Sequence, residues 1–131
     1  MIAVDDLQGW IDRLGGGTLE VEHPAESLWV VHTEEGASMV VSLQPPVAIL
    51  RIRVMQAPKD AKRRATLFER LLQLNATDLL HGAYGLEEDH VVLSDTLALE
   101  GLEYRALEAS FDAMTLALAT HSGALAPYRE K

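Results

Sequence analysis

Hydrophobic positions along this chain change their period several times, and each change marks a boundary between elements. Val4, Leu7, Ile11 and Leu14 recur at three- and four-residue steps, which predicts a helix over Ala3–Leu14 with one buried face. Asp5 and Asp6 fall in its first turn, where carboxylates suit the helix dipole, and Gly15-Gly16-Gly17 ends it. The triple glycine reads as a helix C-cap and loose turn rather than a phosphate loop, because no strand precedes it and no Lys-Ser/Thr follows. The period then drops to two. Leu19 and Val21 alternate with Glu20 and Glu22, a short strand start that Pro24 breaks. Ser27–Thr33 and Ser38–Leu43 read as strands joined by the turn Glu34-Glu35-Gly36, and Pro45-Pro46 ends the second.

Val47–Met55 is the strongest strand. Alternation puts Ala48, Leu50, Ile52 and Val54 on one face, read as the core face, and Val47, Ile49, Arg51, Arg53 and Met55 on the other. The second face mixes aliphatics with two arginines, and no second sheet is available to cover it. Two readings stay open: a solvated face with arginine stems lying over aliphatics, or a peptide-docking surface, since arginine and exposed apolar groups are favoured at interfaces.

Helical spacing returns over Lys59–Thr77, with Pro58 suited to the first helical position. One apolar row runs through Ala61, Ala65, Phe68, Leu72 and Leu79, and a second through Leu67, Leu71 and Leu74. Two rows require burial on more than one side, which a second copy of the chain or a third helix would supply. The basic cluster Lys59, Lys62, Arg63 and Arg64 in the first turns opposes the helix dipole; a solvated role is the default, a structural or binding one the alternative. A hairpin follows, Ala83–Leu86 and His90–Ser94 around Glu87-Glu88-Asp89, then a connection from Ser94 to Gly101. The last helix, Leu102 to about His121, stacks Tyr104, Leu107, Phe111, Met114 and Leu118 on one face. One domain over residues 1–123 is expected, with a frayed tail over 124–131.

The resulting fold class is α+β, a single α-β-β-β-α-β-β-α domain with an antiparallel sheet packed against helices. At 131 residues and 48% apolar composition the chain is large enough for a core of its own. A net charge of −9 disfavours nucleic acid and anionic lipid, and the few bases cluster too weakly to reverse that. No apolar run reaches the roughly 20 residues of a membrane span, and Met1–Asp6 lacks a basic n-region, so neither membrane insertion nor a signal peptide is expected. The absence of cysteine excludes disulfides and thiolate metal sites, and a reducing, cytoplasmic home follows as the default.

Candidate chemistry is sparse. His23, His32, His81, His90 and His121 are scattered without metal-ligand spacing, and each reads as a loop or strand surface residue. No Gly-x-Ser-x-Gly elbow anchors a hydrolase, and Glu87-Glu88-Asp89 form a turn rather than an opposed acid/base pair. The same turn lacks the alternating ligands and glycine of a calcium loop. No catalytic residue, metal ligand or cofactor is assigned.

The order of elements, the segment Leu67-Phe68-Glu69-Arg70-Leu71-Leu72-Gln73-Leu74-Asn75, the hairpin Tyr84-Gly85-Leu86 with His90-Val91-Val92-Leu93, and the stretch Leu97-Ala98-Leu99-Glu100-Gly101-Leu102 resemble the type III secretion chaperone family typified by the Tir chaperone CesT, and the related YbjN-like proteins. The resemblance covers nearly the whole chain. It implies a cytoplasmic homodimer without enzymatic activity that holds an extended segment of a client effector protein on its surface. Carried onto this sequence, the dimer contact falls on Ala61, Ala65, Phe68, Leu71 and Leu72, and the client groove on Trp29, Val31, Ile49, Arg51 and Arg53. Alternation alone leaves open whether Trp29 or Leu28 points outward. The alternative the resemblance allows is a YbjN-like regulatory or stress-associated interaction protein without a secreted client.

Overall fold

The computed structural model describes residues 3–129. Among these residues the chain forms α1 (Val4–Arg13), β1 (Glu20–Ala25), β2 (Leu28–His32), β3 (Ser38–Gln44), β4 (Val47–Gln56), α2 (Ala61–Thr77), β5 (Ala83–Glu87), β6 (His90–Ala98) and α3 (Tyr104–Leu125). The strands make one antiparallel sheet in the order β1-β2-β3-β4-β6-β5. The first four strands follow as a meander. The chain then leaves β4 through α2, forms β5 at the far edge, and returns as β6 into the gap between β4 and β5.

The start at Leu19–Glu22 is therefore a full edge strand, continuing through Pro24 to Ala25. An edge position tolerates the missing N–H, and the pairing with β2 is irregular between Glu22 and Ala25. The glycine stop after α1 is as expected: Gly15, Gly16 and Gly17 all have φ between 62° and 80°. A Cβ on Gly15 would lie 2.6 Å from the Leu19 side chain.

All three helices cover one face of the sheet. Leu7, Ile11 and Leu14 of the α1 segment, Leu67, Leu71 and Leu74 of α2, and Leu107, Phe111 and Met114 of α3 are buried with Trp29, Val31, Met39, Val41, Leu50, Ile52 and Leu93 of the strands. Trp29 is fully buried and donates its indole N–H to Gln8 Oε1 of α1 at 2.6 Å. In β4 the core face runs Ala48, Leu50, Ile52 as expected, but a bulge between Arg53 and Met55 shifts the alternation. Met55, expected on the mixed face, is buried, while Val54 is only half-buried.

Element ends differ from the reading of the sequence where side chains, rather than periodicity, set them. Asp60, not Pro58, starts α2: its carboxylate accepts from the Arg63 backbone N–H at 2.9 Å. Strand β6 runs on to Ala98, through residues expected to be a connection. Helix α3 begins at Tyr104 and passes Gly123, where fraying was expected, to end at Leu125, which is buried; Tyr128 packs on the core beyond it. Glu130 and Lys131 of the expected tail lie outside the described residues.

Candidate functional site: the open sheet face and the outer row of helix α2

Pairing register and burial together define which side chains point away from the helices. Leu28, Val30 and His32 of β2 sit opposite Ser42, Val40 and Ser38 of β3, and these face Ile49 and Arg51 of β4. Beyond them lie Thr96, Ser94 and Val92 of β6, then Gly85 and Glu87 of β5. Leu28, Val40 and Ile49 are half-buried and Val92 is buried, although no helix lies over them among the described residues. The sheet twist brings Leu28, Val40, Ile49 and Val92 round a shallow depression of about 440 Å³, bordered by Arg51 and Arg53.

This face includes three of the five residues assigned to a client groove. Ile49, Arg51 and Arg53 line the depression together. Trp29 and Val31 do not: both are fully buried on the helix side, so Leu28, Val30 and His32 are the outward residues of β2. The correction has a simple cause. Every residue of the run Leu28-Trp29-Val30-Val31 is apolar, so alternation carries no information on parity there. Docking of α1 decides it, through the Trp29–Gln8 hydrogen bond, and His23 of the neighbouring strand β1 stacks on the same indole ring at 4.7 Å.

Charges on the face are unevenly satisfied. Arg51 reaches across β6 to Glu87 of β5, with Nη1 donating to Oε2 at 2.7 Å. Both side chains are nearly half exposed, so this pair contributes at most about 1 kcal/mol. The Nε–H of Arg51 is buried with no acceptor among the described residues. A buried donor of that kind is costly to leave unmade, by about 1–3 kcal/mol. Arg53 is exposed and has no ion pair among the described residues.

Helix α2 separates its two apolar rows by about a third of a turn. Leu67, Leu71 and Leu74 fill the core of the chain's own fold. Leu71 thus belongs to the inner row, which corrects its assignment to an intermolecular contact. In the outer row Ala61 and Ala65 are exposed, Phe68 is half-buried and Leu72 is 68% exposed. Leu72 and Phe68 border an apolar hollow of about 250 Å³ with Tyr84 and Leu86, and Leu86 is itself 46% exposed.

The basic cluster at the start of α2 is partly structural. Arg63 donates to the Pro127 carbonyl at 2.7 Å and so pins the chain after α3. Arg64 donates to the Pro58 carbonyl, pairs with Asp89 in the β5–β6 turn at 3.2 Å, and lies over the Phe68 ring. Two further polar assemblies went unread in the sequence. The Asn75 amide accepts from the Tyr84 backbone N–H at 2.7 Å and donates to its carbonyl at 3.1 Å, closing the free edge of β5 onto α2. His121, expected at the surface, is 3% exposed, with Nδ1 2.7 Å from the Tyr84 hydroxyl and Nε2 3.3 Å from Asp78. A carboxylate only accepts, so Nε2 carries the proton and the tyrosine hydroxyl donates to Nδ1. Burial first, and the Asp78 charge second, push the Tyr84 hydroxyl up to about 12. The sequence did carry a signal for His121: it continues the α3 stripe after Leu107, Phe111, Met114 and Leu118, in step with Leu125.

Neither assembly has the geometry of a nucleophilic site. Ser110 is fully buried and its hydroxyl donates a hydrogen bond to Asp95 Oδ2 at 2.7 Å, while His81 stands 3.8 Å from that same carboxylate and not between the two. Among the described residues no group of three or more His, Cys, Asp or Glu side chains could hold a metal ion, and no helix is long and apolar enough to cross a membrane.

The sheet is thus covered by helices on one face and open on the other among the described residues, and α2 adds an open apolar row beside β5. The chain belongs to the CesT_Tir_1 family, the type III secretion chaperones, which matches residues 2–131. Among solved structures, a chain of the heterodimeric ExoU–SpcU complex from the type III secretion system of Pseudomonas aeruginosa superposes with a TM-score of 0.67 at 16% identity, covering 93% of this chain and 96% of that one. YbjN of E. coli, a proposed transcription regulator, superposes with a TM-score of 0.67 at 14% identity, covering 93% and 92%. At these identities the likeness is one of fold. No curated protein sequence matches this chain.

Proposed function

We propose that this protein is a non-enzymatic, cytoplasmic chaperone that holds an extended segment of a client effector on its open sheet face and works as a homodimer through the outer row of α2. The observation that carries the reading is the depression bordered by Ile49, Arg51, Arg53 and Val92, a half-buried aliphatic floor with one guanidinium donor unmet and another unpaired among the described residues. An extended client segment would place alternate apolar side chains on that floor and an acceptor beside the exposed Arg53 guanidinium. Membership of the CesT_Tir_1 family supports the same reading. For the dimer, support comes from Leu72, largely exposed, and Leu86, nearly half exposed, both lining the hollow with Phe68 and Tyr84, where a second copy would cover them.

The test is co-purification from the native cell. Ile49→Asp places a charge on the floor of the face without entering the core, and it should abolish recovery of a client that the unaltered protein retains. Unchanged recovery would move client binding off this face. A second reading, a YbjN-like interaction protein with no secreted client, is favoured by the equal structural match to YbjN. Under that reading no exported protein is retained, and the gene does not neighbour a secretion operon.

A further inference from the structure

The sheet leaves an opening on its helix side. Strands β2 and β3 end at a turn over 33–37 near Ile52, whereas β4 runs on to Gln56. A groove of about 460 Å³ lies in that opening, between the turn and the 115–125 stretch of α3. Both walls are fixed by contacts of their own. The turn closes on itself, with the Thr33 N–H donating to the Ala37 carbonyl at 2.8 Å and the Ala37 N–H donating to the Thr33 hydroxyl at 3.0 Å. The end of α3 is held by the Arg63 bond to the Pro127 carbonyl at 2.7 Å. A preformed concavity of this size falls within the range of small-molecule sites, about 300–1,000 Å³.

The chemistry of the concavity changes along its length. Val54, Leu118 and Leu125 make an apolar floor over Ile52. A smaller hollow of about 170 Å³ shares Thr33, Glu35 and Thr115 with the groove and prolongs it along α3 to Leu19 and Phe111. Cations occur only in the first compartment, since Arg53 and Arg129 line the groove and not the hollow. Neither guanidinium has an acidic partner among the described residues, whereas Arg51, Arg64 and Arg105 each have one. The acids of the lining, Glu34 and Glu35, are exposed on the turn. In a chain of net charge −9, two unpaired cations beside an apolar floor oppose the surrounding field and select an anion with an apolar body.

We propose that this groove is a small-molecule site for a single-chain aliphatic carboxylate of medium length. Its head is taken by Arg53 and Arg129 through charge-assisted hydrogen bonds. Its chain lies over Val54 and Leu118 towards Leu19 and Phe111, out of water. The site lies on the helix side of the sheet and does not depend on a client at the outer face, although Arg53 stands at the rim of both.

Decanoate tests this against decanol and decyltrimethylammonium, each kept below its micelle or solubility limit. Calorimetric titration reads affinity, and amide shifts of the isotopically labelled full chain read location. Decanoate should shift the amides of 33–37, 52–54 and 115–125, and bind at least about tenfold more tightly than decanol, a difference near that of one charge pair. Decyltrimethylammonium should bind no more tightly than decanol. Arg129→Gln should weaken decanoate, and Arg53→Gln combined with Arg129→Gln should bring it to the level of decanol, whose own binding stays unchanged. Ala119→Trp, at an exposed position in the lining, should abolish binding of both, while Ile49→Asp leaves it intact. Equal affinity for decanoate and decanol, no binding, or shifts confined to the hollow of Phe68, Leu72 and Leu86 would each overturn the proposal. So would a preference for decanoate that survives the loss of both arginines.

Discussion

Asn75→Ala isolates the contact that joins helix α2 to the far edge of the sheet. The substitution removes one acceptor and one donor at once, the 2.7 Å bond from the Tyr84 N–H and the 3.1 Å bond to its carbonyl. Each such bond contributes about 1 kcal/mol net, and leaving its partner unmet adds a desolvation cost of about 1–3 kcal/mol when the group stays dry. Asn75 is half-buried, so water reaches part of the site and the lower end applies; a loss of about 2–3 kcal/mol is expected. For a domain of this size that corresponds to a fall of about 7–10 °C in Tm. Asn75→Asp keeps the acceptor but sets a carboxylate oxygen against the Tyr84 carbonyl, and should be at least as damaging at neutral pH. Urea unfolding with an unchanged slope measures the loss, and amide exchange reports the edge directly, since the Tyr84 N–H should lose protection before the rest of β5. A loss below about 0.5 kcal/mol with Tyr84 protection intact would refute the clamp, because no bond of ordinary strength could then be at stake.

Leu72→Asp should leave the fold intact and yield a monomer by light scattering, whereas Leu71→Asp buries an unpaired charge, costs several kcal/mol and should unfold the chain; an unchanged mass for the first would remove α2 from the self-contact. Trp29→Ala should cost about 3–5 kcal/mol as a core deletion, far more than any single change on the outer face, and denaturant unfolding would show it. Tyr84 titrates higher in the folded chain than the ordinary 10.0, so its contribution is complete below pH 10 and is lost as pH rises towards about 12. Stability measured across that window should fall in the unaltered protein and flatten in Tyr84→Phe; parallel curves would contradict the buried Tyr84–His121–Asp78 chain.

Much of the architecture could be read from periodicity, because the change between steps of three and four and steps of two is sharp at Gly15–Gly17 and at Pro58, and Pro45-Pro46 divides one strand from the next. What stayed hidden depended on tertiary choices that the pattern does not encode. The parity of β2 is undetermined in an all-apolar run, and tertiary packing with the Trp29–Gln8 bond to α1 settles it. The bulge at Arg53–Met55 inverts one residue of β4 with no glycine or proline to announce it. The two rows of α2 were visible, but which row met the chain's own sheet depended on where β5 docks, so Leu71 was grouped with Leu72 across a third of a turn. Asn75, at the end of a run noted only as a family likeness, turned out to have a definite physical task.

The open sheet face holding a client is the central claim, and site-specific photo-crosslinking tests it most directly. A benzophenone side chain replacing Ile49 in the native cell should trap one dominant protein through a single extended segment, while the same group at exposed Thr120 on α3 should not. An absence of adducts at position 49, or the same scattered adducts from both positions, would contradict the account.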